Sequence, residues 1–246
     1  MGTLLDTEPF GERVVEAIQA GDLGALRGLL DERPDLVTVR IANSRDNALR
    51  SLLHIATDWP VHFPKARETI AMFVAAVVAV ADVDDACDGP HSEAPLHRAA
   101  SSADMAALEA LIEAGADLDA PGAVLGWGAP LSNAVGFKKW DAARRLVECG
   151  AQTELWHAAA LGLLQRVAEA LGGIAPDQRQ LDAAFWHACS GGRREAAALP
   201  LGPGADLDWL ASWEAATPLD VAEQNGCTEV AAWLRSRGAR HAEPSK

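Results

Sequence analysis

The chain has 246 residues and a mass of 25.9 kDa, and 49% of its residues are hydrophobic, which is enough for a sizeable folded core. Its 35 acidic and 21 basic residues give a formal net charge of −14. Such a charge repels nucleic-acid phosphates and anionic lipid surfaces. We therefore expect neither nucleic acid nor a membrane as a partner.

The cysteines and the apolar segments indicate a cytoplasmic protein. The four cysteines contain no C-x-x-C pair, which argues against a zinc knuckle or a redox motif, and no metal or cofactor is predicted. Residues 1–11 lack the basic start and the apolar core of a secretory signal. The longest apolar run, residues 70–81, is shorter than the roughly 20 residues of a membrane-spanning helix.

Four short segments repeat a Leu-His-x-Ala or Pro-Leu-x-x-Ala pattern: residues 53–56, 94–100, 129–134 and 217–222. Three of them are followed by a second helical pattern that ends in Gly115, Gly150 or Gly238, where a helix C-cap favours a left-handed residue. Residues 155–159 and 185–189 align more weakly, with Trp156 and Trp186 in place of the histidine.

The leucine positions of these six segments lie 43, 35, 24, 30 and 34 residues apart. The long first spacing predicts an insertion, and the spacing of 24 predicts a truncated hairpin. A further helical pattern at residues 14–30, with Gly21 at its turn, predicts an N-terminal unit.

The pattern resembles the Thr-Pro-Leu-His-x-Ala signature of ankyrin repeats, which are about 33 residues long. The resemblance covers residues 12–240 and implies an all-α fold, an ankyrin-repeat solenoid of about seven helix-turn-helix units with short finger loops, of a degenerate, bacterial type. The chain is predicted to be one domain, residues 1–246. Its predicted parts are a capping unit at 12–50, internal units at 51–93, 94–128, 129–153, 154–180 and 181–216, a C-terminal cap at 217–240, and a disordered tail at 241–246.

The residue choices suit units that stack closely. Alanines let the next unit approach, and we expect this role for Ala99, Ala100, Ala134, Ala158, Ala159 and Ala188. Proline suits the first turn of a helix, as at Pro95, Pro130 and Pro218. We expect His54 and His97 to be structural. Pro200 should break the second helix of its unit, and the helix at residues 76–81 should also end irregularly.

Three departures from the pattern are candidates for function. Residues 57–67 insert prolines and aromatic side chains at an inter-helix turn, and they form either a lid over a groove or a segment packed on its own repeat. The expected fingers at residues 88–93 and 121–128, and the later one near Trp209 and Trp213, carry tryptophans that either bind a partner or cover the finger. Polar residues at the x position either line one face or reach solvent or a nearby carbonyl; they are Arg98, Asn133, His157 and His187.

No local catalytic signature occurs in the chain, which favours a non-enzyme. A spatial constellation remains open, and its candidate acid–base residues are Asp58, His62, His91 and Glu93. Unrelated surface groups are the alternative interpretation of these four.

We therefore predict a binding module that presents a concave groove to a protein partner. The alternative is a small-molecule-binding or catalytic pocket, formed by the 58–65 insertion and the following finger loops, which are expected to converge. Its candidate contact residues are Trp59, His62, His91 and Trp127. A degenerate array without a ligand is the third possibility.

Overall fold

The structure is a computed structural model that describes residues 2–44, 48–58, 62–76, 83–87, 92–124 and 128–243. The chain falls into two compact units, Met1–Ala151 and Gln152–Lys246. Across the described ranges, we find no helix with the length and apolar character needed to cross a membrane.

Consecutive helices of the first unit pack against each other in pairs. The pairs are α1 (Pro9–Ala20) with α2 (Leu23–Glu32), α3 (Leu52–Thr57) with α4 (Ala66–Ala76), α5 (Pro95–Ser102) with α6 (Met105–Glu113), and α7 (Pro130–Gly136) with α8 (Trp140–Glu148). The first helices also contact one another, α1 with α3, α3 with α5, and α5 with α7. A single pair buries little apolar surface, so each pair depends on its neighbours.

A small sheet at the N-terminus corrects the expectation of an all-α chain. Strand β1 (Thr3–Leu5) pairs in parallel with β2 (Arg40–Ala42), and β2 pairs antiparallel with β3 (Leu49–Arg50). A 3-10 helix, Pro34–Thr38, follows α2 and precedes β2. Strands of two or three residues are too short to show the alternation of polar and apolar residues by which strands are predicted.

In the first unit, the turn between the two helices of every pair except α3 and α4 is a Schellman turn, closed by a residue in the left-handed conformation. At Gly21, with φ of 63°, the N–H donates to the Ile18 carbonyl, and the next N–H donates to the Ala17 carbonyl. The predicted turn at Gly21 is confirmed. Ala103 and Lys138 close the turns after α5 and α7 in the same way.

The predicted insertion is present between α3 and α4. Helix α3 ends at Thr57 and α4 begins at Ala66, so residues 58–65 separate two helices that are joined elsewhere by a short turn. The prediction that the spacing of 24 residues between Leu131 and Leu155 reflects a truncated hairpin is wrong, because both α7 and α8 are complete. The chain is short between α8 and α9, where residues 149–154 leave no room for a finger.

The second unit contains three helix pairs, α9 (Leu155–Leu161) with α10 (Leu164–Gly172), α11 (Gln178–Ser190) with α12 (Arg194–Leu201), and α13 (Pro218–Gln224) with α14 (Thr228–Ser236). Helix α11 packs on both α9 and α13, and α12 packs on both α10 and α14. The core lies between these layers, with Phe185 and Trp186 of α11 almost fully buried.

Four of the second helices end in a Schellman turn with glycine in the left-handed position. The predicted C-caps Gly115, Gly150 and Gly238 are confirmed, since each has a positive φ. Gly204 closes the turn after α12: its N–H donates to the Leu201 carbonyl, and the Ala205 N–H donates to the Pro200 carbonyl.

The prediction that Pro200 breaks its helix is wrong. Helix α12 continues through Pro200 to Leu201. Proline in a last turn removes one N–H donor, and its carbonyl remains available to close the turn. The irregular end predicted after Ala76 falls on residues 77–82, outside the described residues.

Alanines at the contacts between first helices are buried, as predicted. The six named alanines are at most 1% exposed: Ala99, Ala100, Ala134, Ala158, Ala159 and Ala188. Because alanine has a single methyl group, helices can approach closely at these positions.

The segment after α14 returns to α13 and to the preceding connection. The Arg240 guanidinium donates to the Asp208 carboxylate at 2.7 Å, and the Thr217 hydroxyl donates to the Arg240 carbonyl at 3.0 Å. The Ala242 N–H donates to the Asp220 carboxylate at 2.9 Å. The predicted disordered tail therefore starts with residues that contact α13, at positions 241–243. Residues 244–246 lie outside the described residues.

Candidate functional site

His54 and His97 connect neighbouring repeats of the first unit. The Nδ1 atom of each accepts a backbone N–H at the start of its own helix, from Ser51 at 3.2 Å and from Ala94 at 3.1 Å. Nε2 then carries the proton and donates to a carbonyl just before the next helix, that of Glu93 for His54 and that of Gly128 for His97. The structural role predicted for both histidines is confirmed.

Burial holds these imidazoles in the neutral form. Desolvation lowers the pKa of His54 to about 3 and also lowers the pKa of His97. Protonation of Nδ1 would also remove the acceptor of the backbone N–H. Neither ring is therefore suited to exchange protons near neutral pH.

Asp58 and Arg98 meet in a charged cluster on the inner side of α3 and α5. Asp58 accepts from Arg98 at 2.5 Å and lies 2.7 Å from a guanidinium nitrogen of Arg50. Their side chains are 11–20% exposed, and a second Arg98 nitrogen lies 3.9 Å from the Cys87 sulfur. Two arginines on one carboxylate hold the end of α3 against α5.

Glu93 and Asn133 meet beside this cluster. The Asn133 amide donates to the Glu93 carboxylate at 2.6 Å, and both residues are buried. The adjoining connections touch as well, because a Cβ on Gly122 would lie 2.2 Å from the Ser92 carbonyl oxygen. The two predicted fingers of the first unit are thus in contact at residues 92 and 122.

His62 lies at the opposite end of α5 from Glu93. Its backbone N–H donates to the Asp104 carboxylate at 3.0 Å, just after α5, whereas Glu93 stands just before that helix. Pro64 packs on the first inter-helix turn, where a Cβ on Gly21 would lie 2.1 Å from the Pro64 carbonyl oxygen. His62 and Pro64 of the insertion thus lie at inter-helix turns, whereas Asp58 of the same insertion lies in the charged cluster.

The expected pocket includes three further residues. Trp59, His91 and Trp127 lie outside the described residues. Of the four acid–base candidates, the structure describes Asp58, His62 and Glu93, and it places His62 away from the other two. Across the described residues, no group of three or more His, Cys, Asp or Glu could hold a metal ion.

His157 in the second unit makes the N-cap bond that the signature histidine makes in the first unit. Its Nδ1 accepts the N–H of Glu154 at 3.1 Å, as His97 does from Ala94, and burial lowers its pKa to about 3. Counted back from the closing turn, where the Leu163 N–H donates to the Ala158 carbonyl, α9 keeps the predicted register but begins one residue later than α5 does. The indole N–H of Trp156 donates to the Glu154 carboxylate at 3.1 Å.

Trp186 replaces the signature histidine in the next repeat, as predicted. Its indole N–H donates to the carbonyl of Ala216 at 2.9 Å, just before α13. This bond holds the base of the connection at residues 205–216, which we call the second-unit finger. An Ala211–Ala216 bridge closes the finger, and Trp213 lies near its tip.

The finger brings tryptophans of distant segments around His187. The ring centroid of His187 lies 4.6 Å from that of Trp156 and 5.6 Å from that of Trp213, with 16° between the planes of His187 and Trp213. Trp209 meets Trp213 edge to face at 5.4 Å. We call Trp156, His187, Trp209 and Trp213 the aromatic patch.

The aromatic patch has one face packed and another open. The Trp186 ring lies beneath it, 5.4 Å from the Trp213 ring, and is 1% exposed. Trp213 is 45% exposed, and Leu210 on the same finger is 52% exposed. Rigid aromatic rings that are only partly covered provide contact area at a low cost in side-chain entropy.

Sequence reasoning named His187, Trp209 and Trp213 separately but missed that they form one patch with Trp156. The available signal was the Trp-His pair repeated at residues 156–157 and 186–187, together with the two finger tryptophans. Arg98, Asn133 and His157 each make a buried or partly buried hydrogen bond within their own unit.

Comparison with known families identifies the repeat at α5 and α6. Residues 92–123 match the family model of the ankyrin repeat, and this stretch includes both helices and the connections at either side. No curated protein matches the chain. Ankyrin repeats generally mediate protein–protein interactions. The match shows an ankyrin repeat at residues 92–123 and supports the resemblance of the chain to ankyrin-repeat proteins.

Proposed function

We propose that this chain is a protein-binding module and that the aromatic patch of its second unit contacts the partner. The observation that carries the proposal is the packing of Trp156 and Trp213 around His187, with Trp213 and Leu210 about half exposed. Tryptophan is enriched among the residues that contribute most to protein–protein affinity.

The support beneath the aromatic patch favours binding over simple cover for the finger. Trp186 already fills the core under the finger, and the Arg240–Asp208 pair fixes the finger from the other side. Trp213 adds an exposed ring to a finger that is held without it. An interface residue on a rigid support loses little conformational entropy when the partner binds.

The wider arrangement is also part of the proposal. We propose that the seven helix pairs form a single solenoid domain that presents a groove lined by first helices and fingers. Arg98, Glu93 and Asn133 would then support the fingers from within. A nucleic-acid partner is disfavoured by the net charge of −14. The pocket alternative loses support, because His62 and Glu93 lie at opposite ends of α5.

The experiment selects short random peptides displayed on phage against the immobilised full chain and measures the affinity of the enriched peptides. Trp213→Ala should weaken binding by about 30-fold, the effect of losing a residue that dominates an interface. Ile174→Ala is the matched control, because Ile174 is 97% exposed and belongs to no aromatic contact in the described structure.

Circular dichroism and thermal unfolding of both variants show whether a loss of binding comes from a loss of folding. A fold that is unchanged in Trp213→Ala, with binding lost only in that variant, supports the proposal. Equal affinities of Trp213→Ala and Ile174→Ala for every enriched peptide would overturn it, as would a selection that enriches no binding peptide.

A further inference from the structure

We infer that the partner segment carries an arginine or lysine next to apolar residues, and that this cation lies against the rings of Trp156 and Trp213 beside acidic side chains. The inference rests on the proposed function and adds the chemistry of the partner.

The aromatic patch has a carboxylate at its edge and a second acidic residue next to it in the chain. Glu154 is exposed and accepts the indole N–H of Trp156 at 3.1 Å, so its carboxylate stays at the edge of that ring. Glu214 is exposed and follows Trp213 at the finger tip. Each of the two outer tryptophans of the patch is thus accompanied by an acidic residue.

Carboxylates at this position discriminate between partners. An apolar partner that covered the aromatic patch would remove water from the exposed carboxylate of Glu154, which is unfavourable. An acidic partner would be repelled. A cationic side chain fits both the tryptophan rings and the carboxylate, because it is attracted by the face of an indole ring and pairs with a neighbouring carboxylate.

The chain makes the same kind of contact elsewhere in this unit. The guanidinium carbon of Arg237 lies 5.0 Å from the centroid of the Trp233 ring. Arginine rather than lysine is favoured at the aromatic patch, since a planar guanidinium can stack on a ring and also donate to a carboxylate at its edge.

The test uses the peptides selected against the full chain. Their sequences should be enriched in arginine or lysine adjacent to leucine, isoleucine or an aromatic residue, and their affinity should fall as salt screens the charges. Glu154→Gln and Glu214→Gln should each weaken the binding of a selected peptide by about fivefold. Glu195→Gln, an exposed change in the first turn of α12, should leave the affinity unchanged.

The outcomes separate the inference from the proposed function. Neutral or acidic peptides that still depend on Trp213 would overturn the inference and leave the proposed function standing. The same holds for cationic peptides that bind Glu154→Gln, Glu214→Gln and Glu195→Gln equally well. Peptides that bind independently of Trp213 would remove the proposed function and the inference together.

Discussion

The indole N–H of Trp186 donates to the carbonyl of Ala216 at 2.9 Å, the bond that an imidazole makes in the first unit. His97 donates to Gly128 and His54 donates to Glu93 at the equivalent points before the next helix. A tryptophan can replace the histidine because both side chains offer a ring N–H at a similar reach. The exchange adds a large ring beneath Trp213, and this ring supports the exposed surface of the finger.

Replacing Trp186 by phenylalanine should destabilise the protein. The change keeps most of the apolar volume but removes the indole donor from the Ala216 carbonyl, which keeps only the Ala211 N–H, and the loss of this hydrogen bond should cost about 0.5 to 1.5 kcal/mol. Urea unfolding measures this difference. Trp156→Phe is the control, because it removes an indole N–H bond at the exposed edge of Glu154 and should change stability by less than about 0.5 kcal/mol. Equal losses in both variants would show that the Trp186 bond has no special role.

Removing the Asp58 carboxylate should unfold part of the first unit. Arg50 and Arg98 would lose the anion that they share in a mostly buried setting, so Asp58→Asn should cost about 2 kcal/mol or more. Asp141→Asn is the matched control, since Asp141 also pairs with an arginine at 2.7 Å but is 80% exposed. Chemical denaturation of the two variants compares these pairs, and similar stabilities would contradict the structural role of Asp58.

Acidification should weaken the fold before the carboxylates titrate. The folded-state pKa of His54 and of His157 is about 3, below the unfolded value near 6.5, so the unfolded chain binds protons first as the pH falls. The stabilising contribution is complete above pH of about 6.5 and decreases below it. Between pH of about 7.5 and 5.5 the loss should be about 1.4 kcal/mol for each histidine.

Urea unfolding at the two pH values, together with an NMR titration of the imidazole signals, checks this expectation. The signals of His54 and His157 should remain those of neutral rings at pH of about 5.5. Imidazoles that titrate near their ordinary pKa in the folded protein would contradict the proposed hydrogen bonds.

Two glycines after α12, Gly202 and Gly204, provide a test of how this helix ends. Gly204 has φ of 112°, and Gly204→Ala should cost about 1 to 2 kcal/mol even though the space around it is open. Gly202 has helical angles, with φ of −58°, so Gly202→Ala should be neutral or stabilising. Thermal unfolding distinguishes the two, and an equal effect would contradict the Schellman turn.

The helix pairs were predictable because their signals are local. Alanine at the contacts, proline in the first turn and glycine after the second helix each act within a few residues, and Gly115, Gly150 and Gly238 lie where expected. The Pro200 error had a local cause too, since the carbonyl of a proline can still close a helix end. The sheet was missed because β1 and β2 are short and far apart in the sequence.

The candidate site was less predictable because it depends on register and on long-range contacts. Helix α9 begins one residue later than α5 relative to its closing turn, so His157 and not Trp156 accepts the N–H at the helix start. Trp213 reaches His187 only because Trp186 and Arg240 fix the finger from two sides. The contacts that fix the finger join residues about 30 positions apart, which no local pattern predicts.

The most direct test of the proposed binding surface is the NMR spectrum of the indole N–H groups during titration with a peptide selected against the full chain. Assignments come from single Trp→Phe variants. We expect the signals of Trp156 and Trp213 to shift in proportion to the peptide bound, while those of Trp140 of α8 and Trp233 of α14 keep their positions. A peptide that shifts the signals of Trp140 or Trp233 and leaves those of Trp156 and Trp213 unchanged would contradict the proposed binding surface.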